Sequence, residues 1–252
     1  MASIFFVCVL TIFFPAPVQA MHISEGILPL DWAIGWYVIA FAFVYVGIRQ
    51  IRGRTKSDRG LMPLLALMGA AIFLISCFPI PVPIAGTCSH PCGTPLAAIL
   101  VGGPFISTVL GAIALLLQAL FLAHGGISSW GANIISMAVA GSFVGYGVFI
   151  LLRKLNVSLA VSAFAAGILG DWATYIVTSL QLALALHGEG SFWGMWAANI
   201  FAFVPSQLPL GILEGIFTAG VLVFVARRRP QILAYLMPGA GLPVMKATKE
   251  IG

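Results

Sequence analysis

The chain alternates long uncharged apolar stretches with short basic clusters, and this arrangement fixes its solvent before any element is assigned. Apolar runs cover about 32–48, 61–78, 94–123, 133–152, 157–186 and 198–226. The twelve Lys and Arg fall between or after them, at Arg49 to Arg59, Arg153-Lys154, Arg227 to Arg229, and Lys246 with Lys249. Only 8% of the residues are charged and 61% are hydrophobic, whereas a water-soluble domain carries roughly a quarter charged. With mean hydropathy at +1.09, there is too little polar surface for a globule in water. The chain reads as a polytopic membrane protein surrounded by lipid. Its net charge of +5 does not signal a nucleic-acid partner, because it forms no long basic stripe and no aromatic-rich RNA-binding sequence. Basic clusters at the ends of hydrophobic runs mark the cytoplasmic side. The cysteines, Cys8, Cys77, Cys88 and Cys92, are too few for a disulfide scaffold.

Residues 1–20, MASIFFVCVLTIFFPAPVQA, read as a cleaved signal peptide. An apolar core from Ile4 to Phe14 precedes helix-breaking Pro15 and Pro17, and Val18 and Ala20 supply the small residues that signal peptidase prefers. That core is too short to cross about 30 Å of hydrocarbon. No Lys or Arg precedes it, so translation starting at Met21 and a retained anchor stay open as alternatives. Cleavage and a late start give the same mature end. The expected organisation is a signal peptide at 1–20, a multi-pass membrane domain at 21–229, and a loosely ordered cytoplasmic tail at 230–252.

Charge placement tests the number of crossings. With the mature N-terminus outside, the first run ends inside at Arg49–Arg59 and the second returns outside near Phe78. Reaching Arg153-Lys154 on the inside then needs an odd number of crossings, yet two runs intervene. Gly102-Gly103-Pro104 interrupts the longer of them, and proline in a helix removes a hydrogen bond and clashes with the preceding turn. The run therefore splits into a short helix at about 94–103 and a full one at about 105–123. The short helix requires the loop before it to be folded below the outer surface against protein. An all-α bundle of seven helices follows, N-terminus outside and C-terminus inside, with an infolded outer loop before a short third helix.

In this topology His22, His90, His124 and His187 all lie at outer helix ends or in outer loops. His22 is the most informative. With Met21 first, the terminal amine, the His22 amide and the His22 imidazole close a five- and a six-membered chelate ring around one ion. Planar nitrogen ligation favours Ni(II) or Cu(II), with low-spin Co(II) compatible. A fourth donor can come from Ile84-Ala-Gly-Thr-Cys-Ser-His-Pro-Cys-Gly-Thr94, where His90 lies among Cys88, Ser89 and Cys92. A helix-capping histidine, a zinc knot and a Cys88–Cys92 disulfide are open alternatives for that loop. His124, ahead of helix-stopping Gly125-Gly126, reads first as a histidine satisfied by local hydrogen bonds and second as a residue closing the mouth of the site. His187 reads as an ordinary loop residue. Glu25 is placed either to orient His22 or to cap the first helix.

Asp171 and Glu214 fall within membrane runs. Intramembrane acids are costly and face the bundle interior. The reading is a structural polar network with Gln118, Gln181, Asn133 or Gln207 as partners, ahead of a direct role on a metal path.

Met21-His-Ile-Ser-Glu-Gly26, Gly86-Thr-Cys-Ser-His-Pro-Cys-Gly-Thr94, Ala123-His-Gly-Gly126 with Gly131-Ala-Asn133, and Gly170-Asp-Trp-Ala-Thr-Tyr175 resemble the CbiM/NikM family over about residues 21–226. These are the substrate-capture (S) components of energy-coupling-factor importers for cobalt and nickel. The resemblance implies a seven-helix bundle without ATPase activity, working with a transmembrane coupling (T) subunit, cytoplasmic ATPases and a small accessory membrane subunit. It implies metal ligation by Met21, His22 and His90, with Glu25, Cys88, Ser89 and His124 around them, and a place in the cell (inner) membrane. The Cys-Ser-His-Pro loop and the Gly-Asp-x-Ala-Thr-Tyr stretch look more like the cobalt branch, which feeds cobalamin synthesis, with nickel import as the alternative. No prosthetic group is implied, because Co(II) or Ni(II) is bound as substrate. Two features depart from the family pattern: the signal sequence ahead of Met21, and Cys92 where a hydroxyl or small residue is expected. An intramembrane metalloenzyme is the distant rival, lacking the H-E-x-x-H helix motif. A vitamin- or lipid-binding protein with incidental histidines is the third class.

Overall fold

The computed structural model describes residues 22–58, 60–77, 80–81 and 88–229. The proposed signal peptide, Met21 and the 230–252 tail lie outside the described residues. Among those residues seven helices follow one another: α1 Leu30–Ser57, α2 Leu61–Ile75, α3 Thr94–Leu100, α4 Pro104–Leu122, α5 Trp130–Lys154, α6 Leu159–Leu186 and α7 Phe192–Arg228. The seven-helix expectation holds, including the split at Gly102-Gly103-Pro104. Five helices are long and apolar enough to cross a membrane. α2 and α3 are shorter, at 15 and 7 residues.

The outer faces carry apolar side chains such as Phe121, Phe201 and Leu30, more than 70% exposed, while Asp171, Gln118 and Gln181 are fully buried. That inversion is what hydrocarbon surroundings select, since a lipid-facing polar group has nothing to bond. A two-residue antiparallel pair, Ile80–Pro81 with Cys88–Ser89, ties the ends of the α2–α3 connection together.

α3 is the element that positions the site. All seven of its residues are buried, it is only about 10 Å long at 1.5 Å per residue, and residues 89–93 just ahead of it also sit inside the bundle. Pro95 occupies its first turn, where a missing N–H costs nothing. Its far end is closed twice. Gly102, at φ +68, lets the chain turn back, and Arg54 of α1 donates to the carbonyls of Val101 and Gly102 at 2.9 Å each. A cation over a helix C-terminus also complements its dipole.

α5 contains a π-helical stretch at Ile134–Ala140. The wider turn shifts the backbone bonding register, and two of its carbonyls accept from side chains of neighbouring helices. Thr94 donates to Met137 O at 3.0 Å and Thr108 to Ala138 O at 3.2 Å. α6 and α7 pack along much of their length, with Gly167 of one against Gly215 of the other.

Candidate metal centre

Three of the four histidines meet in one place. The ring of His22 lies 5.2 Å from those of His90 and His124, and His90 and His124 are 5.4 Å apart, centroid to centroid. One ring nitrogen from each lies within 4.8 Å of the others, and all three residues are buried. They come from the irregular segment ahead of α1, the infolded loop ahead of α3, and the turn after α4.

A hydrogen-bond chain fixes which nitrogen of His22 is available. Ser76 Oγ donates to Ile72 O at 2.6 Å. Its lone pair then accepts from Gln118 Nε2 at 2.6 Å, and the same amide nitrogen reaches Phe73 O at 3.5 Å. With its nitrogen committed to two acceptors, Gln118 presents Oε1 to His22 Nε2 at 3.2 Å. An amide oxygen only accepts, so His22 carries its proton on Nε2 and keeps a lone pair on Nδ1. That is the nitrogen a six-membered chelate through the His22 amide uses.

His90 is set the opposite way. Its Nδ1 lies 2.7 Å from Pro91 O, again an acceptor, so the proton is on Nδ1 and Nε2 bears the lone pair. His90 Nε2 is buried without a hydrogen-bond partner, and so is His124 Nε2. Such orphaned polar atoms are expensive in a native interior, and an ion is one way to satisfy them. Burial is the largest cause that holds both His22 and His90 well below the usual imidazole pKa, with neighbouring imidazoles adding to it. Burial takes His124 down to about 4. At neutral pH all three rings are neutral donors.

The segment carrying His22 is pinned by the turn after α4 and the first turn of α5. The Asn133 side chain accepts from Ile23 N at 2.9 Å and donates to Ile23 O at 3.2 Å, and Ser129 Oγ donates to the same carbonyl. Glu25 accepts from Ser128 N at 3.0 Å. Bonds from the Ser128 hydroxyl and from backbone amides hold its carboxyl below the ordinary range. Glu25 therefore binds the 123–129 turn and does not cap α1, whose N-cap is Pro29 without a side-chain bond. Close approach requires the paired glycines: a Cβ on Gly126 would stand 2.5 Å from Glu25 N and Cα, and one on Gly125 3.1 Å from His22 Cβ.

Other readings change. His124, first read as locally satisfied, joins the cluster with its Nε2 unbonded. Ser89 shares a 2.7 Å hydrogen bond with Ser206 of α7 and points to the loop's anchorage. The side chain of Cys88 lies outside the described residues. Cys92 is a free, buried thiol, which removes the disulfide alternative. His187 makes a local bond to Ala183 O at 2.8 Å. Asp171 and Glu214 meet the 92–93 segment of the infolded loop instead of the amides expected for them. Gln118 was seen only as a partner for those acids. Its spacing within α4, about one and a half turns before His124, was the available signal.

Residues 22–232 match the CbiM family, described as the cobalt uptake substrate-specific transmembrane region. The chain belongs to the CbiM family. A cobalt transport protein CbiM from Geobacter sulfurreducens is 54% identical over 231 residues, covering 89% of this chain and 66% of that relative. One from Sorangium cellulosum is 51% identical over 225 residues, covering 87% of this chain and 100% of the relative. A crystal structure of a truncated transition metal transporter superposes with a TM-score of 0.73 at 28% identity, over 82% of this chain and 99% of that one. Family membership makes the chain a multi-pass membrane component of cobalt uptake, and not an enzyme.

Proposed function

We propose that the chain is the substrate-binding subunit of an energy-coupling-factor transporter that imports Co(II), supplying cobalamin synthesis. The ion is captured on the extracytoplasmic side of the cell membrane by the Met21 amine, the amide and imidazole of His22, and His90, with His124 closing the pocket. Residues 1–20 are removed as a signal peptide, which frees the amine. A transmembrane coupling subunit and cytoplasmic ATPases drive release inward, with a small accessory membrane subunit alongside, and the basic ends of α1, α5 and α7 face the cytoplasm.

The observation that carries this reading is that His22 Nε2 and His90 Nδ1 each face an oxygen acceptor while the two rings cluster with His124. Gln118 holds the proton on His22 Nε2 and Pro91 O holds it on His90 Nδ1, so Nδ1 of one ring and Nε2 of the other are left as donors in a shared pocket. Planar nitrogen ligation also suits Ni(II), and the same four donors make nickel the second cargo. The test is calorimetric Co(II) and Ni(II) binding to purified chain beginning at Met21, against chain with one extra residue ahead of it. Binding with proton release is expected for the first and abolition for the second. Unchanged binding after the addition rules out the N-terminal chelate.

A further inference from the structure

A second group of donor side chains sits deeper in the bundle. Cys92, Asp171 and Glu214 each place one ligand atom within 4.8 Å of the others, and they are 0%, 0% and 3% exposed. Cys92 comes from the infolded loop, Asp171 from α6 and Glu214 from α7. The Glu214 carboxylate accepts from the backbone N–H of Cys92 at 2.5 Å and of Gly93 at 2.8 Å, which locks the loop over α7. The Cys92 thiol reaches Asp171 Oδ1 and Thr174 Oγ1, each at 3.4 Å. Asp171 Oδ2 is buried with no hydrogen-bond partner. The α7 backbone passes close beside it: a Cβ on Gly211 would stand 3.2 Å from that oxygen and 2.3 Å from Trp172 Nε1.

Among the described residues, no cationic side chain bonds to these two carboxyl groups or the thiol. Every Lys and Arg of the sequence lies at 49–59, 153–154, 227–229 or beyond 245. Buried acids in a membrane bundle persist when something compensates them, and a compact divalent cation does so where no guanidinium or ammonium reaches. A thiolate combined with carboxylate oxygens is a donor set for first-row transition ions.

We propose that Cys92, Asp171 and Glu214 form a second, inner site for a divalent transition-metal ion. Its donors are the Cys92 sulfur and one carboxylate oxygen each from Asp171 and Glu214. Binding forms a metal–sulfur bond and breaks the S–H bond, and the thiol proton leaves to solvent. With one carboxyl keeping its proton, the dication, one thiolate and one carboxylate sum to zero net charge, which suits this depth.

The inner site is tied mechanically to the histidine centre. His90 and Cys92 are two residues apart, at most about 7 Å of chain, so one loop offers a donor to each site. The Tyr175 hydroxyl accepts from His90 N at 3.2 Å and donates to His90 O at 2.9 Å, one helical turn along α6 from Asp171. An ion passing from the histidines to the thiol exchanges nitrogen donors for sulfur and oxygen without leaving the loop. The proposal rests on the capture reading only for its choice of Co(II) as probe.

The test is Co(II) titration of the purified full-length mature chain in detergent, read by equilibrium stoichiometry and near-ultraviolet absorption. Wild type is expected to take two equivalents, one with a thiolate-to-Co(II) charge-transfer band. Cys92→Ser should lose that band and one equivalent while keeping the other. His22→Ala should do the reverse, so failure of the N-terminal chelate and failure of the inner site are distinguishable. A band that survives Cys92→Ser, or a wild type that saturates at one equivalent without the band, overturns the proposal. Should Cys92→Ser not fold, cobalt-edge X-ray absorption on wild type decides: a sulfur neighbour at about 2.3 Å, the length typical of metal–thiolate bonds, is expected, and a shell of nitrogen and oxygen alone overturns it.

Discussion

Gln118 Oε1 accepts from His22 Nε2 at 3.2 Å, and this one contact sets the direction in which the His22 ring can bind an ion. The amide is oriented in turn by Ser76, whose hydroxyl proton is already given to Ile72 O. A relay of three side chains thus reaches from the end of α2 through α4 to the segment ahead of α1. Its outcome is a lone pair on Nδ1, on the side of the His22 backbone amide.

Gln118→Ala is expected to weaken Co(II) binding by roughly 10–100-fold, the usual loss when the partner that orients a ligating histidine is removed. Gln118→Glu retains an accepting oxygen and should lose less. Isothermal titration of both variants checks this. Affinity unchanged in Gln118→Ala would mean that the relay does not control the ring.

His22→Ala should cost at least about tenfold more affinity than His124→Ala. His22 offers an imidazole that shares a chelate with its own amide, whereas His124 offers a ring nitrogen alone. A difference of tenfold is about 1.4 kcal/mol, well within what a lost chelate ring supplies. Competition against a coloured chelator measures both. Equal losses would require a ligand set in which the three imidazoles are equivalent.

The fold was legible because charge placement and one Gly-Gly-Pro break constrain a membrane chain strongly. An odd number of crossings between Phe78 and Arg153 forces the split that appears as α3 and α4. The meeting of His22 with His90 was legible as chemistry, through the chelate expected at a Met-His end and the donor-rich loop. The role of Gln118 was not, because its place near the His124 end of α4 marks the outer mouth but not the segment it will face. The Cys92–Asp171–Glu214 grouping was hidden for a similar reason. The cost of an intramembrane acid puts Asp171 and Glu214 on inward faces, but only the depth of residues 89–93 brings Cys92 to them. The π-helical stretch of α5 has no sequence signal of comparable clarity, since each of its residues also suits an α-helix.

Gly126→Ala should destabilise the metal-free protein by about 1–3 kcal/mol, the range for overpacking a fitted contact. The added carbon would stand 2.5 Å from the backbone of Glu25, and backbone cannot rotate away as a side-chain tip can. The segment bearing His22 must shift, so Co(II) affinity should fall as well. Gly147→Ala is the control, because nothing lies within 4 Å of its added carbon and alanine is the better helix former by about 1 kcal/mol. Thermal unfolding in detergent compares the two. A Gly126 variant as stable as the Gly147 variant would show that the 123–129 turn does not hold the His22 segment tightly.

Acidification should destabilise the metal-free protein through its histidines, with the sign set by where each form is protonated. Burial lowers the folded pKa of His124 from 6.5 to about 4, and those of His22 and His90 move the same way. Between about 4 and 6.5 the unfolded chain therefore binds protons that the folded chain refuses, and stability rises with pH wherever the unfolded state holds more protons. The stabilisation is fully present above 6.5 and is lost as pH falls toward the folded value. His124→Gln removes one such group without emptying its space. The stability difference between wild type and this variant, measured with metal chelated away, should be flat above 6.5, shift against wild type as pH drops, and level off below about 4. A difference independent of pH across that interval would mean that His124 titrates in the folded protein as it does in water, and that its ring is not enclosed with those of His22 and His90.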